Sequence, residues 1–486
     1  MLTLILLLIP LVASLFAFRM NARLVKGYAL VSALISLGFT VYLVALFTTG
    51  SQTAEQLSMS LPWVPRLGIG FSLNLDGLSL LLVLLTNFLF PLIVLSSFRN
   101  EVNNAPVFYG LMLFMQFALL GVFTASDGFL FYVFWELALL PIWFICLLWG
   151  GIDRVRITLK FFLYTLSGSL LMLTGLIVLY LHTPGSHDFS LTALYAAEVD
   201  PSVQQWLFWC FFAAFAIKIP IFPLHTWQPD TYTDAPAQGT MLLSGIMLKM
   251  GIYGLLRWLL PLLPDGVAEW GQTALWLCAA GIVYASCMAL VQQDFKRLLA
   301  YSSIAHVGMI SAGIFSLTEQ GVQGGIIQML AHGVNVTGLF FVADIIQRRM
   351  KTRELKELGG LAHNSPMFTI LFIIILLGSV ALPLTNGFVG EFLLLTGLFR
   401  HSGVLAAVCG LSVILGAVYM LRSYQKIMLG EPHSRIAEFT GLDHSEKIVL
   451  LTIAAVIILT GLFPGPLMAM AQPAVDEILT QVQDLY

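Results

Sequence analysis

The chain has 486 residues, 58% of them hydrophobic and only 10% charged, with a mean hydropathy of +0.90. A soluble domain carries about 25% charged residues, so this composition excludes a soluble enzyme and implies a polytopic membrane protein. The net charge of −3 forms no basic face for phosphates, and nucleic acid is excluded as a partner.

Apolar runs of about 20 residues are long enough to cross a bilayer as helices. They fall at 2–18, 25–48, 76–97, 107–125, 128–149, 160–182, 206–224, 236–262, 270–292, 296–316, 322–346, 367–397, 403–428 and 447–469. The expected architecture is therefore all-α, with about fourteen transmembrane helices and the bilayer as its solvent. The first run leads directly into Arg19, Arg23 and Lys26 with no small-residue cleavage site, so no removable signal sequence is expected. Eighteen of the 23 Lys and Arg residues fall on one set of alternate loops or the adjoining helix ends. The opposite loops hold only Arg66 and Arg400, with Arg257 near them. The positive-inside rule makes the basic loops cytoplasmic and places both termini outside. Two outer segments are longer, 49–75 and 183–205; the first, with Pro62, Trp63, Pro65 and Gly68, is expected to form an irregular interfacial cover.

The five cysteines, Cys146, Cys210, Cys278, Cys287 and Cys409, lie in apolar runs without a CxxC pair. Clustered thiolates for iron–sulfur or structural zinc are thus not expected. No glycine-rich dinucleotide fingerprint or P-loop is present, so no nucleotide site is expected.

The informative residues are the charged ones inside the apolar runs. Lys218 and Lys249 each lie deep in such a run, where a lysine costs about 2.5–3.5 kcal/mol on insertion scales. Pro220 and Pro223 follow Lys218 and interrupt the seventh run, freeing the carbonyls of Ala216 and Ile219. The twelfth run is interrupted likewise, through Gly378, Pro383, Asn386, Gly387 and Gly390. Broken, charge-bearing helices in both halves point to a transport site and to an internal repeat. Glu136, the ninth residue of its run, is a candidate counter-ion for Lys218. Burial and ion pairing shift the proton affinity of such a pair in opposite directions, so moving the two groups apart or together changes it without redox chemistry. His306 and His332 fall near helix centres and suit proton transfer near neutral pH. Glu391 closes the series in the broken twelfth helix. Structural alternatives exist for each: a carbonyl cap for Lys218, core packing for the histidines, a helix cap for Glu391. His225, Asp230 and Asp234 are weaker candidates for a metal site or, by preference, for turns and caps. Asp76 fits a helix N-cap.

With these residues in view, the chain resembles the antiporter-like membrane subunits of respiratory complex I, the proton-pumping NADH:quinone oxidoreductase. The resemblance rests on FWELALLPIWF, KFFLYTLSGS, AIKIPIFPLHTWQPD, DFKRLLAYSSIAHVGM, QMLAHG and LPLTNGFVGEF, in that order along nearly the whole chain. It implies two inverted five-helix repeats, 107–262 and 270–428, flanked by 1–97 and 447–469, each repeat forming a half-channel. It implies that Glu136 pairs with Lys218, that Lys249 is central, that His306 and His332 continue the path, and that Glu391 ends it. Some branches of the family carry lysine at the last position; the glutamate of GFVGEF marks another. The family loop usually reads close to LPDAHSEAP, whereas this chain has QPDTYTDAP, so any role of that histidine does not carry over to Tyr232. Cofactors are implied for partner subunits and not for this chain: NADH, FMN, iron–sulfur clusters and quinone. The implied partners are the L-type and N-type antiporter-like neighbours, the transported species protons, and the location an energy-transducing membrane, a bacterial inner membrane. Two other readings fit the residues: a subunit of an Mrp-type sodium/proton antiporter or related hydrogenase complex, and a passive structural subunit. Sodium would want several oxygen ligands, and the deep groups here are mostly nitrogenous.

Overall fold

A computed structural model describes residues 1–50, 57–185, 187–432, 439 and 441–483. The helices are α1 Leu2–Ala17, α2 Ala22–Thr48, α3 Gly77–Ser96, α4 Ala105–Thr124, α5 Gly128–Trp149, α6 Arg154–Leu181 and α7 Pro201–Lys218. Next come the short α8 Gln228–Asp234, then α9 Ala237–Leu262, α10 Pro264–Val291, α11 Phe295–Phe315 and α12 Glu319–Met350. The chain continues with α13 Pro366–Ser379, α14 Asn386–His401, α15 Gly403–Leu429, α16 His444–Leu462 and α17 Gly465–Gln483. Among the described residues, eleven helices are long and apolar enough to span a membrane, and α1 and α13 are shorter apolar helices.

The fourteen apolar runs therefore do not map onto fourteen continuous helices. The seventh run breaks after Lys218, and the twelfth breaks between Ser379 and Asn386. The last run, set at 447–469, divides at Phe463–Pro464, and α17 is a separate helix that apolar length does not reveal. Its buried side chains, Met470, Ala471, Ala474, Val475, Ile478, Leu479 and Val482, form one stripe that packs on α3 and α12. Only about half of such a helix is apolar, which is too little for a span and enough for a helix lying on a surface.

The segment 49–75 also differs from its expected irregular form. Residues 51–56 lie outside the described residues, but Met59–Val64 (β1) and Ile69–Leu73 (β2) pair antiparallel, Met59 opposite Leu73 and Leu61 opposite Phe71. The turn between them ends at Gly68 with φ of +61°, where a Cβ would fall 2.2 Å from the His187 carbonyl oxygen. Glycine is the residue that both the dihedral and the close approach permit. The hairpin closes over α5, because Asp127, the α5 N-cap, accepts hydrogen bonds from Leu130 N and Gly70 N, both at 2.9 Å. Asp76 caps α3 as expected, its carboxylate accepting from Ser79 N at 2.8 Å.

Apolar side chains all round a helix suit either the protein core or lipid, and burial separates the two. α9 is wholly enclosed and α11 and α12 nearly so, while α2, α15 and α16 turn much of their surface outward. The face opposite the hairpin carries the basic loops and most of the ion pairs. There Glu446 receives Arg348 at 3.1 Å and Arg349 at 2.6 Å with 2% of its side chain exposed, and Arg99 meets Asp443 at 2.9 Å. Glu446 also completes the capping box at the start of α16, so one carboxylate ties α12 to α16. Removing one partner of a buried ion pair costs about 3–5 kcal/mol. Glu446→Ala is expected to lower stability by that order, seen as a lower thermal midpoint of the purified protein, and Glu446→Gln by less.

Candidate functional site

Lys218 is the last residue of α7, where the helix gives way before Pro220. The carbonyls exposed by this break find other donors: Ile221 N bonds Ala216 O at 2.7 Å, and Trp227 Nε1 bonds Ile217 O at 2.8 Å. Lys218 caps neither of these two carbonyls. Among the described residues its Nζ has no hydrogen-bond partner, and it sits 5.4 Å from the centre of the Trp135 ring. Trp135 precedes Glu136 on α5, so the acid and the lysine are brought to neighbouring positions without a direct ion pair within 4.0 Å.

Lys249 lies in α9 between two stretches of wider π-helical turn, Leu243–Met247 and Leu255–Leu259. Such turns are frequent at functional sites because they reorient side chains and loosen backbone carbonyls. Lys249 Nζ donates to the Ser244 carbonyl at 2.7 Å and stands 2.8 Å from His332 Nδ1. A protonated Lys249 donates to this ring nitrogen and leaves the ring proton on Nε2. His332 Nε2 lies 3.1 Å from Ser303 Oγ.

The His306 ring centre lies 5.8 Å from that of His332. Nδ1 of His306 is 2.8 Å from Ser302 O; its Nε2 is 3.0 Å from Ser379 O and 3.5 Å from Glu391 Oε1. The Ser379 carbonyl belongs to the last turn of α13, so the break in this helix is met by a histidine. Both ring nitrogens face oxygen acceptors, and a neutral imidazole can donate to only one side. Glu391 is the sixth residue of α14, beyond the first turn, and therefore does not cap it. Instead its Oε1 accepts from Gln328 Nε2 at 3.3 Å. Lys218, Lys249, His332 and Glu391, exposed by 2%, 0%, 5% and 7%, are enclosed by protein, while Glu136 and His306 are half-buried.

The packing reorders the series. In sequence His306 precedes His332, but His332 meets Lys249 while His306 meets Glu391. Ser303, Ser302, Gln328 and Tyr419, whose hydroxyl donates to Ser302 Oγ at 3.1 Å, join the site without having been singled out. A signal existed for Gln328, which precedes His332 by four residues and so shares its helix face. The weaker candidates are structural: Asp230 pairs with Lys160 at 3.0 Å and Arg297 at 3.2 Å. Asp234 bonds Gly151 N at 3.2 Å, and burial raises its carboxyl pKa. His225 packs between Phe222 and Tyr284.

A helix bundle that brings buried lysine, histidine and glutamate side chains into one series, with two spans broken beside them, has the form of an antiporter-like membrane subunit. Residues 125–416 match the family described as NADH:quinone oxidoreductase/Mrp antiporter, TM. The chain is 38% identical to NADH-quinone oxidoreductase subunit M of Rickettsia typhi over 93% of its own length and 91% of that protein's. A chain of the respiratory complex I from Thermus thermophilus with bound NADH superposes with a TM-score of 0.92 at 32% identity, covering 99% of this chain and 100% of that one. A chain of the Mrp complex from Dietzia sp. shares the fold, with a TM-score of 0.84 at 22% identity over 99% and 98% of the two chains. The chain belongs to the NADH:quinone oxidoreductase/Mrp antiporter family, and within it to the subunit M group.

Proposed function

We propose that this chain is the proton-translocating subunit M of a complex I, with Glu136, Lys218, Lys249, His332, His306 and Glu391 as the groups that carry the proton. The observation that carries this reading is the Lys249–His332–Ser303 chain at 2.8 and 3.1 Å, followed by His306 and Glu391 at 3.5 Å. Lys249 passes a proton to His332 Nδ1, and the ring releases one at Nε2 toward Ser303 and His306. A second proton on His306 gains it a second hydrogen bond, and Glu391 is the acceptor beside it. Lys218, in neighbouring position to Glu136 but not bonded to it, is the group whose charge responds to events in adjacent subunits. Moving one charge against 100 mV costs about 2.3 kcal/mol, and a two-unit swing in a lysine's proton affinity supplies about 2.7 kcal/mol.

The broken helices α7 and α13 begin on opposite faces, which supports two inverted repeats over 107–262 and 270–428. Electron input, flavin, clusters and quinone reside in partner subunits, and this chain acts with L-type and N-type neighbours. The basic face is cytoplasmic, and the hairpin and both termini lie outside. The test uses proteoliposomes holding the intact complex. Addition of NADH and quinone should acidify one compartment with no accompanying sodium flux; sodium movement without an electron donor would favour the Mrp-type reading. In the same vesicles a cysteine at position 352 should be labelled only from the cytoplasmic side and one at 190 only from the other, and the reverse pattern would invert the path.

A further inference from the structure

Lys249 and His332 stand on different helices, and their 2.8 Å contact holds only while α9 and α12 stay close. The two backbones touch at a pair of glycines. Gly245 is the centre of the wide turn Leu243–Met247 in α9, and Gly333 directly follows His332 in α12. A Cβ on Gly333 would fall 2.8 Å from the Gly245 carbonyl oxygen. A Cβ on Gly245 would overlap Thr337 Oγ1 and stand 3.6 Å from the Gly333 carbonyl oxygen. Each glycine therefore faces the carbonyl of the other. α3 closes the crossing from the side: Leu85 Cδ2 lies 3.0 Å from the Cβ position at 333, and Leu89 Cδ1 3.2 Å from that at 245.

Both acceptors that hold the Lys249 ammonium sit one residue from this crossing. Ser244, whose carbonyl accepts at 2.7 Å, precedes Gly245, and His332 precedes Gly333. Small residues let membrane helices approach closely, and here the obstacle to a larger one at 333 is backbone, which no change of rotamer can move. A carbon needs roughly 3.5 Å from such a neighbour, so one added methyl parts the helices by about half an ångström. The lysine–histidine contact would then pass the outer end of hydrogen-bond range, about 3.2 Å.

We infer that Gly245 and Gly333 are positioning residues, whose backbone contact fixes the Lys249–His332 separation at which a proton crosses from α9 to α12. The inference rests on the reading of Lys249 as a proton donor to His332.

The test is NADH-driven pumping by the intact complex in vesicles, measured in H2O and in D2O and normalised to assembled complex. Gly333→Ala should lower pumping by about tenfold or more, since a 1 Å misplacement costs a catalytic constellation about a hundredfold. The slowed step is the proton transfer, so the ratio of rates in H2O and D2O should rise above that of the parent. Mere loosening of the bundle would reduce the active fraction and leave that ratio unchanged. Gly245→Ala should behave in the same way, and adding Thr337→Ala should restore it. Without Oγ1 the nearest atoms to the new methyl are Leu89 Cδ1, the mobile end of a side chain, and Gly333 O at 3.6 Å. Thr337→Ala alone should match the parent, because among the described residues its hydroxyl has no hydrogen-bond partner. If one glycine variant does not assemble, the other carries the test. An assembled glycine variant that pumps at the parent rate overturns the positioning role. So does a loss with an unchanged isotope ratio, or a loss in Gly245→Ala that Thr337→Ala does not relieve. Parent-level pumping by Lys249→Met would instead refute the donor reading beneath it.

Discussion

Replacing Lys249 by methionine is expected to lower donor-driven proton pumping by about a hundredfold, the scale on which a positioned proton-transfer group contributes. Methionine fills a similar volume, so the enclosed α9 keeps its packing while the hydrogen bonds to Ser244 O and His332 Nδ1 are lost. Lys249→Arg is the more telling variant. It preserves a positive charge beside His332, but a guanidinium does not release its proton. Both variants should therefore fail alike if Lys249 transfers a proton, whereas Lys249→Arg should retain activity if only its charge matters. Pumping is measured as NADH-driven pH change in vesicles, with assembly checked by copurification of the partner subunits. Electron input to an artificial acceptor upstream of the membrane arm should persist in both. Wild-type pumping by Lys249→Met would remove the residue from the path.

Glu391→Gln should have a comparable effect for a different reason. The amide retains the shape of the carboxylate and an oxygen for Gln328 Nε2, now at 3.3 Å, but it cannot hold and release a proton. The expected loss is about a hundredfold, the lower end of the range for general acid–base groups. Glu391→Asp keeps the acid and shortens its reach to His306 Nε2, at present 3.5 Å away, so part of the activity should remain. Glu391→Lys installs the group that other branches of the family carry and should rescue part of the activity at most, because Gln328 now presents its amide nitrogen to the carboxylate and would have to turn to accept from a lysine. A Glu391→Gln complex that pumps at the parent rate would make Glu391 a structural residue and move the exit elsewhere.

Much of this was legible in composition and punctuation. The apolar runs located the helices because a bilayer requires every backbone polar group to be satisfied within the segment. Pro220 and Pro223 marked the break after Lys218, since proline removes a helical donor. The six titratable members of the series stood out because a charge in hydrocarbon is costly wherever it lies along the chain. α17 escaped because a helix lying on a surface leaves no spanning apolar run, and the hairpin because its strands are short and interrupted by Pro62.

What the sequence by itself determined is the class of protein, the approximate helices and the identities of the buried charges. All of these follow from local properties of solvation and backbone geometry. Only the tertiary structure decided which charges meet. Lys249 and His332 are 83 residues apart in sequence, and their 2.8 Å contact depends on how α9 packs against α12. The same packing exchanged the order of the two histidines, joined Gln328 to Glu391 and set Arg257 against Asp76. Periodicity gives each helix a face but says nothing about which other helix that face will touch, because contact is settled by the shapes and crossing angles of all the helices together.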